Sequence, residues 1–396
     1  MAESSVLITG AGGYVGMLLA LRLLDEKPEP ARLTLVDLAF PLRHMDWTAR
    51  LEDERVEFVR QDLTDPACLK LFQGIDIVYH LASYGMSGSA QLQRDLVRAV
   101  NVTGTQHVLA ACREHDVRAC VYISTYNVVY AGNPIVAGGL DLPYVPSDAH
   151  VDIYSKTKQE AEALVLAANN SPTAGINRRL ATIAIRPAAI YGEHETRHFP
   201  RIIGLYNQGL DFFGIGSPEV LCDWVHGDNL VQGIWLAGQR CLAQDQHVCG
   251  KAFPIADGQP VNNFFFIQDV LGLPNRIRMW VPTWLMSVVA TATEAVHRLV
   301  GPVFPFEPFL TRAEVFKVGY THFMDMTPVR ADLGYEPIVS AAEGIARTRQ
   351  VLAPLVRDAR TRYRTLAYRL SVPTSLLFLG ILFWAALQPT PELKLS

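Results

Sequence analysis

Short apolar runs alternate with helical stretches along the first two-thirds of the chain. The runs are continuously apolar rather than alternating, which indicates strands that are covered on both faces. Six strands are predicted, at residues 6–9, 33–36, 56–59, 75–79, 120–124 and 181–186. Helices are predicted between them, the clearest at residues 15–24 and 92–112. This order predicts an α/β fold, a doubly wound parallel sheet with helices on both faces.

After about residue 190 the pattern loosens into shorter elements rich in aromatic residues and proline. These elements include too few regular strands for a second doubly wound sheet. We therefore predict a domain at residues 5–190 and a smaller substrate-binding lobe at residues 191–350, interleaved with the first. The segment 341–356 is expected to be helical.

A hydrophobic helix is predicted at residues 371–387, where the sequence carries no charge. Its length is close to the lower limit of about 17 residues for a helix that spans a bilayer. The residues ahead of it include five arginines, at 357, 360, 362, 364 and 369, and such a flank is typical of the cytoplasmic side. We expect a single-pass anchor in the endoplasmic reticulum membrane, with the preceding domain in the cytosol. The alternative is a helix packed on the body of the protein.

Composition and charge exclude several classes of protein. With 49% hydrophobic and 19% charged residues, the chain is typical of a globular protein. The net charge of -4, without a basic stripe, gives no reason to expect nucleic acid as a partner. The six cysteines form no C-x-x-C pair, which argues against structural zinc and against a disulfide framework. No metal is expected, and the oligomeric state stays open, with a homodimer as one option.

A glycine-rich turn, Thr9 to Gly16, follows the first strand and opens the first helix. That order is typical of a dinucleotide site in a Rossmann fold. Gly10 would make the tight turn, Gly13 would let the backbone approach the pyrophosphate, and Gly16 would let helix and sheet pack closely. The helix N-terminus would offer free N–H groups to the phosphates. The alternative is a tight turn without a ligand.

Asp37 ends the second strand, about 20 residues after the glycines, where a carboxylate can bind the adenosine ribose. Because it repels a 2′-phosphate, NAD(H) is favoured over NADP(H), although Arg43 lies near enough in sequence to weaken that preference. A turn or cap residue is the other interpretation of Asp37. Asp62 and Leu63, after the third strand, are placed to meet the adenine.

Tyr154 and Lys158 lie four residues apart in YSKTK, so on a helix they share one face. A tyrosine acting as a base near pH 7 must lose about three pK units. One ammonium group about 4 Å away supplies that order of energy. The pair can therefore serve as a proton-transfer device.

Two further polar residues are candidates for the same site. Thr125, just after the fifth strand, would point its hydroxyl into the crevice at the strand ends and hold the substrate oxygen. A hydroxyl that satisfies the loop backbone is the alternative, which fits Ser124 better than Thr125. Asn101, inside the long helix, would hold a water in a proton path behind Lys158, or would be a mere irregularity.

These motifs together resemble the extended short-chain dehydrogenases/reductases over about residues 5 to 350. The motifs are TGAGGYVG at 9–16, Asp37, Asp62-Leu63, His80-Leu81-Ala82, NVTGT at 101–105, Ser124-Thr125, YSKTK at 154–158, RPAAIYG at 186–192 and DWVHGDNLV at 223–231. The resemblance implies NAD as cofactor, Tyr154 as proton acceptor, Lys158 as the ribose-binding and tyrosine-activating lysine, and Thr125 as the third member. It also implies a backbone contact from Pro187 and Ala188 to the nicotinamide carboxamide.

Within that superfamily the chain is most similar to the 3β-hydroxysteroid dehydrogenase/isomerase branch, and in it to short-chain dehydrogenase/reductase family 42E. The stretches that carry this likeness are 82–88, the run from Trp280, 308–312 and 333–337. It implies an oxidoreductase that acts on the CH–OH group of a steroid or other lipid-like alcohol. Threonine at 125 stands where steroid enzymes often carry serine, which leaves the substrate fit open.

The run from Trp280 places Trp280, Trp284, Val288, Val289 and Val296 at helical spacing. Such an apolar helix would line a substrate pocket, touch the bilayer, or pack between the lobes. Two alternatives to a lipid alcohol dehydrogenase stay open. One is a nucleotide-sugar epimerase or dehydratase, and the other is a non-catalytic NAD(H)-sensing protein.

Overall fold

The structure is a computed structural model that describes residues 4–26, 30–40, 50–86, 88–207, 209–300 and 310–357. The predicted anchor at 371–387 and Arg43 lie outside these ranges. Among the residues that the structure describes, no helix is both long and apolar enough to cross a membrane.

The strands are short, and most of them belong to one sheet. They are β1 (Ser5–Thr9), β2 (Arg32–Asp37), β3 (Val56–Arg60), β4 (Ile77–His80), β5 (Ala119–Ile123), β6 (Ile135–Gly138), β7 (Ser171–Pro172), β8 (Arg179–Pro187), β9 (Ala189–Tyr191), β10 (Phe213–Ile215), β11 (Trp224–His226), β12 (Ala252–Ile255), β13 (Met279–Val281) and β14 (His322–Met324). The six predicted strands correspond to β1, β2, β3, β4, β5 and β8, with ends that differ by one or two residues.

The helices flank the sheet or build the smaller lobe. They are α1 (Tyr14–Asp25), α2 (Arg94–Arg98), α3 (Gly104–Glu114), α4 (Ile153–Ala167), α5 (His198–Asn207), α6 (Gly227–Leu242), α7 (Asn263–Val270), α8 (Thr283–Val300), α9 (Arg312–Gly319), α10 (Thr327–Leu333) and α11 (Ala341–Leu352). A π-helical turn, Ala99–Thr103, joins α2 to α3, so the predicted helix at 92–112 is interrupted where Asn101 lies.

The central sheet has the order β3-β2-β1-β4-β5-β8-β12, all parallel, with β7 added antiparallel to β8. Both of its faces are covered. Val6 and Ile8 belong to one apolar core with residues of α1 and α6, and Leu7 belongs to the other with residues of α3 and α4. Continuous burial on both faces explains why the strands are continuously apolar.

The direction of the chain across the sheet reverses between β1 and β4. From β1 the chain moves outward through β2 to β3, and then returns to β4 on the other side of β1. A crevice opens at the carboxyl ends of the strands at such a switch point. The predicted site residues follow these strand ends, so the fold brings them together.

The segment after residue 190 is interleaved with the central sheet. β12 and α6 come after residue 190 in the chain but belong to the central layers, since β12 pairs with β8 and α6 packs on the core. The lobe itself contains two-stranded pairs, β9 with β11 and β10 with β13. Its own core contains Tyr191, Phe199, Trp224 and Phe266.

The prediction of a helix from Trp280 onward is wrong at its start. Trp280 lies in strand β13, which pairs with β10, and α8 begins only at Thr283. Trp284 and Val288 of the predicted face point outward, at 66% and 60% exposed, whereas Val289 is 8% exposed and packs inward. Met286 and Ala290 of α8 also pack inward, at 1% and 0% exposed.

Candidate active site

The glycine-rich turn leaves no room for a side chain at two of its glycines. Gly10 has a φ of +72°, and a Cβ there would lie 2.5 Å from the backbone nitrogen of Ala82. A Cβ at Gly16 would lie 2.4 Å from the Gly10 carbonyl oxygen, so helix α1 approaches the turn too closely for a side chain. A Cβ at Gly13 would lie 3.3 Å from its nearest neighbour, the Gly10 carbonyl oxygen, so this glycine is less crowded than the other two. Gly13 also begins α1 without a side-chain cap, so the helix N–H groups face the crevice.

Asp37 is tied to this turn. One carboxylate oxygen accepts a hydrogen bond from the N–H of Gly12 at 2.9 Å, and the other accepts one from the N–H of Leu38 at 2.6 Å. The carboxylate is thus held at the end of β2, beside the glycines. The carboxylate of Asp62 accepts a hydrogen bond from the N–H of Thr64, and the next residue, Leu63, is buried.

A crevice of about 530 Å³ joins these elements. The predicted cofactor and catalytic residues that line it are Gly10, Gly13, Gly16, Asp37, Asp62, Leu63, Thr125, Tyr154 and Pro187. The dinucleotide fits this crevice on two observations: Cβ atoms would fill the turn at Gly10 and Gly16, and the α1 N-terminus is uncapped. The adenosine end would lie at Asp37, Asp62 and Leu63.

Helix α4 carries the Tyr154–Lys158 pair in its first two turns. The helix begins after Asp152, whose carboxylate caps it by accepting from the N–H of Ser155 at 2.7 Å. Tyr154 is 5% exposed and Lys158 is 1% exposed. One turn further on, Glu162 forms a buried ion pair with Arg186, which fixes the same helix face against β8.

Lys158 is anchored at the end of strand β5. Its ammonium group donates to the carbonyl oxygen of Ile123 at 2.5 Å and lies 4.1 Å from the centre of the Tyr122 ring. Burial lowers the pKa of Lys158 to about 7, and the Glu162 carboxylate opposes that shift. The group is therefore partly neutral near pH 7.

The electrostatics of Tyr154 differ from the sequence-based hypothesis. Burial raises the pKa of Tyr154 to about 12, and the groups that oppose this shift are Arg197 and a hydrogen bond from Ser83. The expectation that Lys158 supplies the main positive charge is thus not what the structure shows. The guanidinium of Arg197 supplies it, and the Glu195 carboxylate holds the loop of Arg197 by accepting its backbone N–H at 2.6 Å.

The hydroxyl of Thr125 makes the contact to the loop backbone that was expected of Ser124. Thr125 accepts a long hydrogen bond from the N–H of Asn127 at 3.3 Å and so caps a short turn. Its own proton stays available for a substrate oxygen. Ser124, 4% exposed, also lines the crevice, and its hydroxyl has no hydrogen-bond partner among the described residues. Both hydroxyls can therefore meet a ligand.

Asn101 joins two segments of the site by hydrogen bonds. Its amide nitrogen donates to the carbonyl oxygen of Tyr84 and to the hydroxyl of Thr157, both at 3.0 Å, and its amide oxygen accepts from the N–H of Tyr84 at 2.8 Å. Both amide protons are therefore used by the protein. The π-turn thus ties the loop that carries Ser83 to helix α4.

An apolar cavity of about 230 Å³ adjoins the crevice on the side of the smaller lobe. Most of its wall is aliphatic or aromatic, including Ile202, Leu205, Leu210, Phe213, Ile215, Phe264 and Met286. Six residues line both spaces: Met86, Tyr126, Ala189, Arg197, His198 and Lys317. The crevice and the cavity therefore meet near Tyr154.

Sequence reasoning missed several residues of this site. Ser83 and Arg197 reach Tyr154 from loops about 40 to 70 residues away in sequence, and no spacing pattern links them to it. Tyr126, which lines both spaces, belongs to none of the recognised motifs. Asp223 belongs to a recognised motif, but its place in the cavity wall follows only from the fold.

Comparison with known proteins places this geometry in a family. The model of the 3-beta hydroxysteroid dehydrogenase/isomerase family matches residues 7–274. "Short-chain dehydrogenase/reductase family 42E member 1" of Danio rerio is 40% identical over 368 residues, which cover 92% of each chain. "3beta-hydroxysteroid-dehydrogenase/decarboxylase isoform 1" of Arabidopsis thaliana is 32% identical and covers 87% of this chain and 79% of its own.

A solved structure confirms the fold. UDP-glucuronic acid 4-epimerase from Bacillus cereus, in complex with NAD, has a TM-score of 0.64 with 20% identity, and the match covers 89% of this chain and all of the epimerase. The site and the matches together define an NAD-dependent oxidoreductase of the short-chain dehydrogenase/reductase type. The chain belongs to the 3-beta hydroxysteroid dehydrogenase/isomerase family.

Proposed function

We propose that this protein oxidises a secondary alcohol of a lipid, of the 3β-hydroxysteroid kind, with NAD⁺ as the hydride acceptor. The observation that carries the proposal is the junction of the cofactor crevice with the apolar cavity beside Tyr154. A lipid alcohol placed there would bury its apolar body in the cavity and present its carbinol to the crevice.

Tyr154 is the proposed base. Its phenolate removes the proton of the alcohol and becomes the phenol, and the positive charge of Arg197 and the Ser83 hydrogen bond stabilise the phenolate beforehand. We propose that Lys158, one helix turn further along the same face, adds positive charge to the site when it is protonated. NAD⁺, when bound, supplies the electrophilic ring that accepts the hydride.

Thr125 orients the substrate, and the residues at the end of β8 orient the cofactor. The Thr125 proton is free to bind the carbinol oxygen, since its oxygen accepts from Asn127. Pro187 and Ala188 are proposed to meet the carboxamide of the nicotinamide; the N–H of Ala188 already donates to Ile255 at 3.0 Å, which leaves carbonyl oxygens for that contact.

The apolar wall weighs against a nucleotide sugar as the substrate. A sugar needs many hydrogen-bonding groups, whereas most of the cavity wall is hydrocarbon and its cations, Arg197, Arg201 and Lys317, are a minority. The similarity to the solved epimerase shows the fold alone. A sensing role would not need Tyr154 and Thr125 at one crevice with Lys158 buried one helix turn from Tyr154.

We propose that the protein acts at a membrane surface. Trp284, Val288 and Leu299 lie on one side of α8 and are 66%, 60% and 80% exposed. An exposed apolar helix face of this kind suits the interfacial region of a bilayer. The segment 371–387, which lies outside the described residues, would add a C-terminal anchor in the endoplasmic reticulum membrane.

The test is NADH formation by the full chain in detergent micelles or membranes, with NAD⁺ and a panel of 3β-hydroxysterols. UDP-glucose and UDP-glucuronic acid serve as the competing substrate class. Turnover of a sterol and none of the sugars supports the proposal. Turnover of a UDP-sugar, or NADH binding without oxidation of any alcohol, would contradict it.

A further inference from the structure

A buried carboxyl group lies in the wall of the apolar cavity, at Asp223. The residue precedes β11 and is 5% exposed. One carboxyl oxygen accepts a hydrogen bond from the backbone N–H of Met324 at 2.8 Å. The other, Oδ1, has no hydrogen-bond partner within the part of the chain that the structure describes.

An unpartnered buried carboxyl oxygen is costly. A buried acceptor without a donor has lost its hydrogen bonds to water and gained none in the fold, and the loss is greater for a charged group. Burial accordingly raises the pKa of Asp223 to about 7. The Met324 hydrogen bond opposes this shift, and the negative charge of Asp257 adds to it. A group held at such a cost next to a cavity is expected to find its partner in a ligand.

Two polar residues that line the cavity with Asp223, Tyr126 and His322, are engaged with each other. The Nδ1–H of His322 donates to the carbonyl oxygen of Tyr320, so Nε2 is the acceptor of that ring. The Tyr126 hydroxyl therefore gives its proton to His322, at 2.8 Å. That proton is not available to Asp223.

The position of Asp223 separates it from the chemistry. Its side chain lines the apolar cavity but is not among the residues that line the cofactor crevice. It would therefore meet a part of the substrate other than the carbinol at Tyr154. We propose that Asp223 binds a second hydroxyl group of the substrate, so that the preferred substrates are lipid diols. This inference rests on the proposed oxidation of a lipid alcohol.

A hydroxyl fits this carboxyl group better than the other polar groups of lipids. It can donate to the carboxylate and can also accept from the carboxylic acid, whereas a ketone can only accept. A cationic amine would be repelled by the positive charges of Arg197, Arg201 and Lys317, which line the same cavity. A hydrogen bond from the second hydroxyl to this buried carboxyl group should improve binding about tenfold or more.

The experiment compares ligands that differ in one hydroxyl. The full chain in detergent, saturated with NADH, is titrated with 5α-androstane-3β,17β-diol and 5α-androstan-3β-ol, and with 25-hydroxycholesterol and cholesterol. Dissociation constants are measured by calorimetry, which needs no turnover. The same titrations are made with Asp223→Ala and with Asp223→Asn, which keeps an acceptor for Met324.

The matched control is Ile202→Val, which trims the apolar wall of the same cavity and should weaken diol and mono-ol alike. NADH binding by each variant verifies that it is folded. We expect the wild type to bind at least one diol about tenfold more tightly than its mono-ol. We expect Asp223→Ala to abolish that preference and Asp223→Asn to reduce it.

Equal affinity for diol and mono-ol in both pairs would overturn the inference and would mean that Asp223 Oδ1 binds only water. A preference that survives Asp223→Ala would overturn it as well. Failure of the proposed function would show itself separately, as preferential diol binding without NADH formation when NAD⁺ replaces NADH.

Discussion

The ammonium group of Lys158 donates a hydrogen bond to the carbonyl oxygen of Ile123 at 2.5 Å, and this bond joins helix α4 to the end of strand β5. Ser124 and Thr125 follow Ile123 directly. The bond therefore places the Tyr154 face of α4 against the two hydroxyls that follow the strand.

The buried position of Lys158 predicts a pH-dependent stability. The pKa of Lys158 is about 7 in the folded chain and 10.5 in its ordinary state. Between these pH values the unfolded chain binds a proton that the folded chain does not, so this contribution to stability rises as the pH rises. From pH 7 to pH 9 the gain is about 2 kcal/mol.

Lys158→Met should remove this contribution, since methionine does not titrate. The measurement is urea unfolding of both proteins at pH 7 and pH 9. The free energy of unfolding of the wild type, relative to the variant, should increase between these two values. A difference that does not change with pH would show that Lys158 is not buried as a partly neutral group.

Gly10 and Gly74 provide a test of the glycine-rich turn. Both have a positive φ, +72° and +73°, but a Cβ at Gly10 would meet the backbone of Ala82, whereas a Cβ at Gly74 meets nothing within 4 Å. Gly74→Ala should lower the free energy of unfolding by about 1 kcal/mol. Gly10→Ala should cost clearly more and weaken NADH binding. Equal effects on thermal unfolding and on NADH affinity would contradict the close approach at Gly10.

The parts of the site that could be predicted from sequence are those fixed by local order. A glycine-rich turn between strand and helix, an acid after the next strand, and a tyrosine and lysine one turn apart each follow from neighbours in the chain. The parallel sheet then brings these segments together, because the carboxyl ends of parallel strands share one edge.

The contacts that were missed join distant segments. Arg197 and Ser83 act on Tyr154 from loops that no periodicity relates to α4. The error at Trp280 has a different cause: helical spacing was extended through Pro282, although a proline there indicates a helix that begins just after it, as α8 does at Thr283. The pairing of β13 with β10 is non-local and leaves no periodic pattern.

Asp37 should set the choice between the two nicotinamide dinucleotides. Asp37→Ser removes the carboxylate that would repel a 2′-phosphate, so the ratio of NADPH to NADH affinity should rise about tenfold or more. Fluorescence titration with each dinucleotide measures the ratio. Asp62→Asn, at the adenine end of the same crevice, is the control and should leave the ratio unchanged. An unchanged ratio in Asp37→Ser would remove Asp37 from ribose recognition.

Asn101 should stabilise the fold and position the loop of Ser83. Asn101→Ala breaks three hydrogen bonds to Tyr84 and Thr157, and we expect a loss of about 2–4 kcal/mol in the free energy of unfolding. Because that loop carries Ser83, kcat should fall while NADH affinity changes little. Gln106→Ala, on the exposed side of α3, is the control. Wild-type stability in Asn101→Ala would exclude this role.

The central claim is that Tyr154 is the base of an alcohol oxidation that uses NAD⁺. Tyr154→Phe removes one oxygen from a side chain that is 5% exposed and keeps the ring that packs there. Tyr126→Phe, which removes a phenol that donates to His322 instead, is the matched control and should keep substantial activity.

The most direct measurement is therefore NADH formation from 3β-hydroxysterols by the wild type and by Tyr154→Phe, with NADH affinity measured on the same samples. We predict that oxidation is lost in the variant, by about three orders of magnitude or more, while NADH affinity is kept. Oxidation at the wild-type rate by Tyr154→Phe would contradict the account.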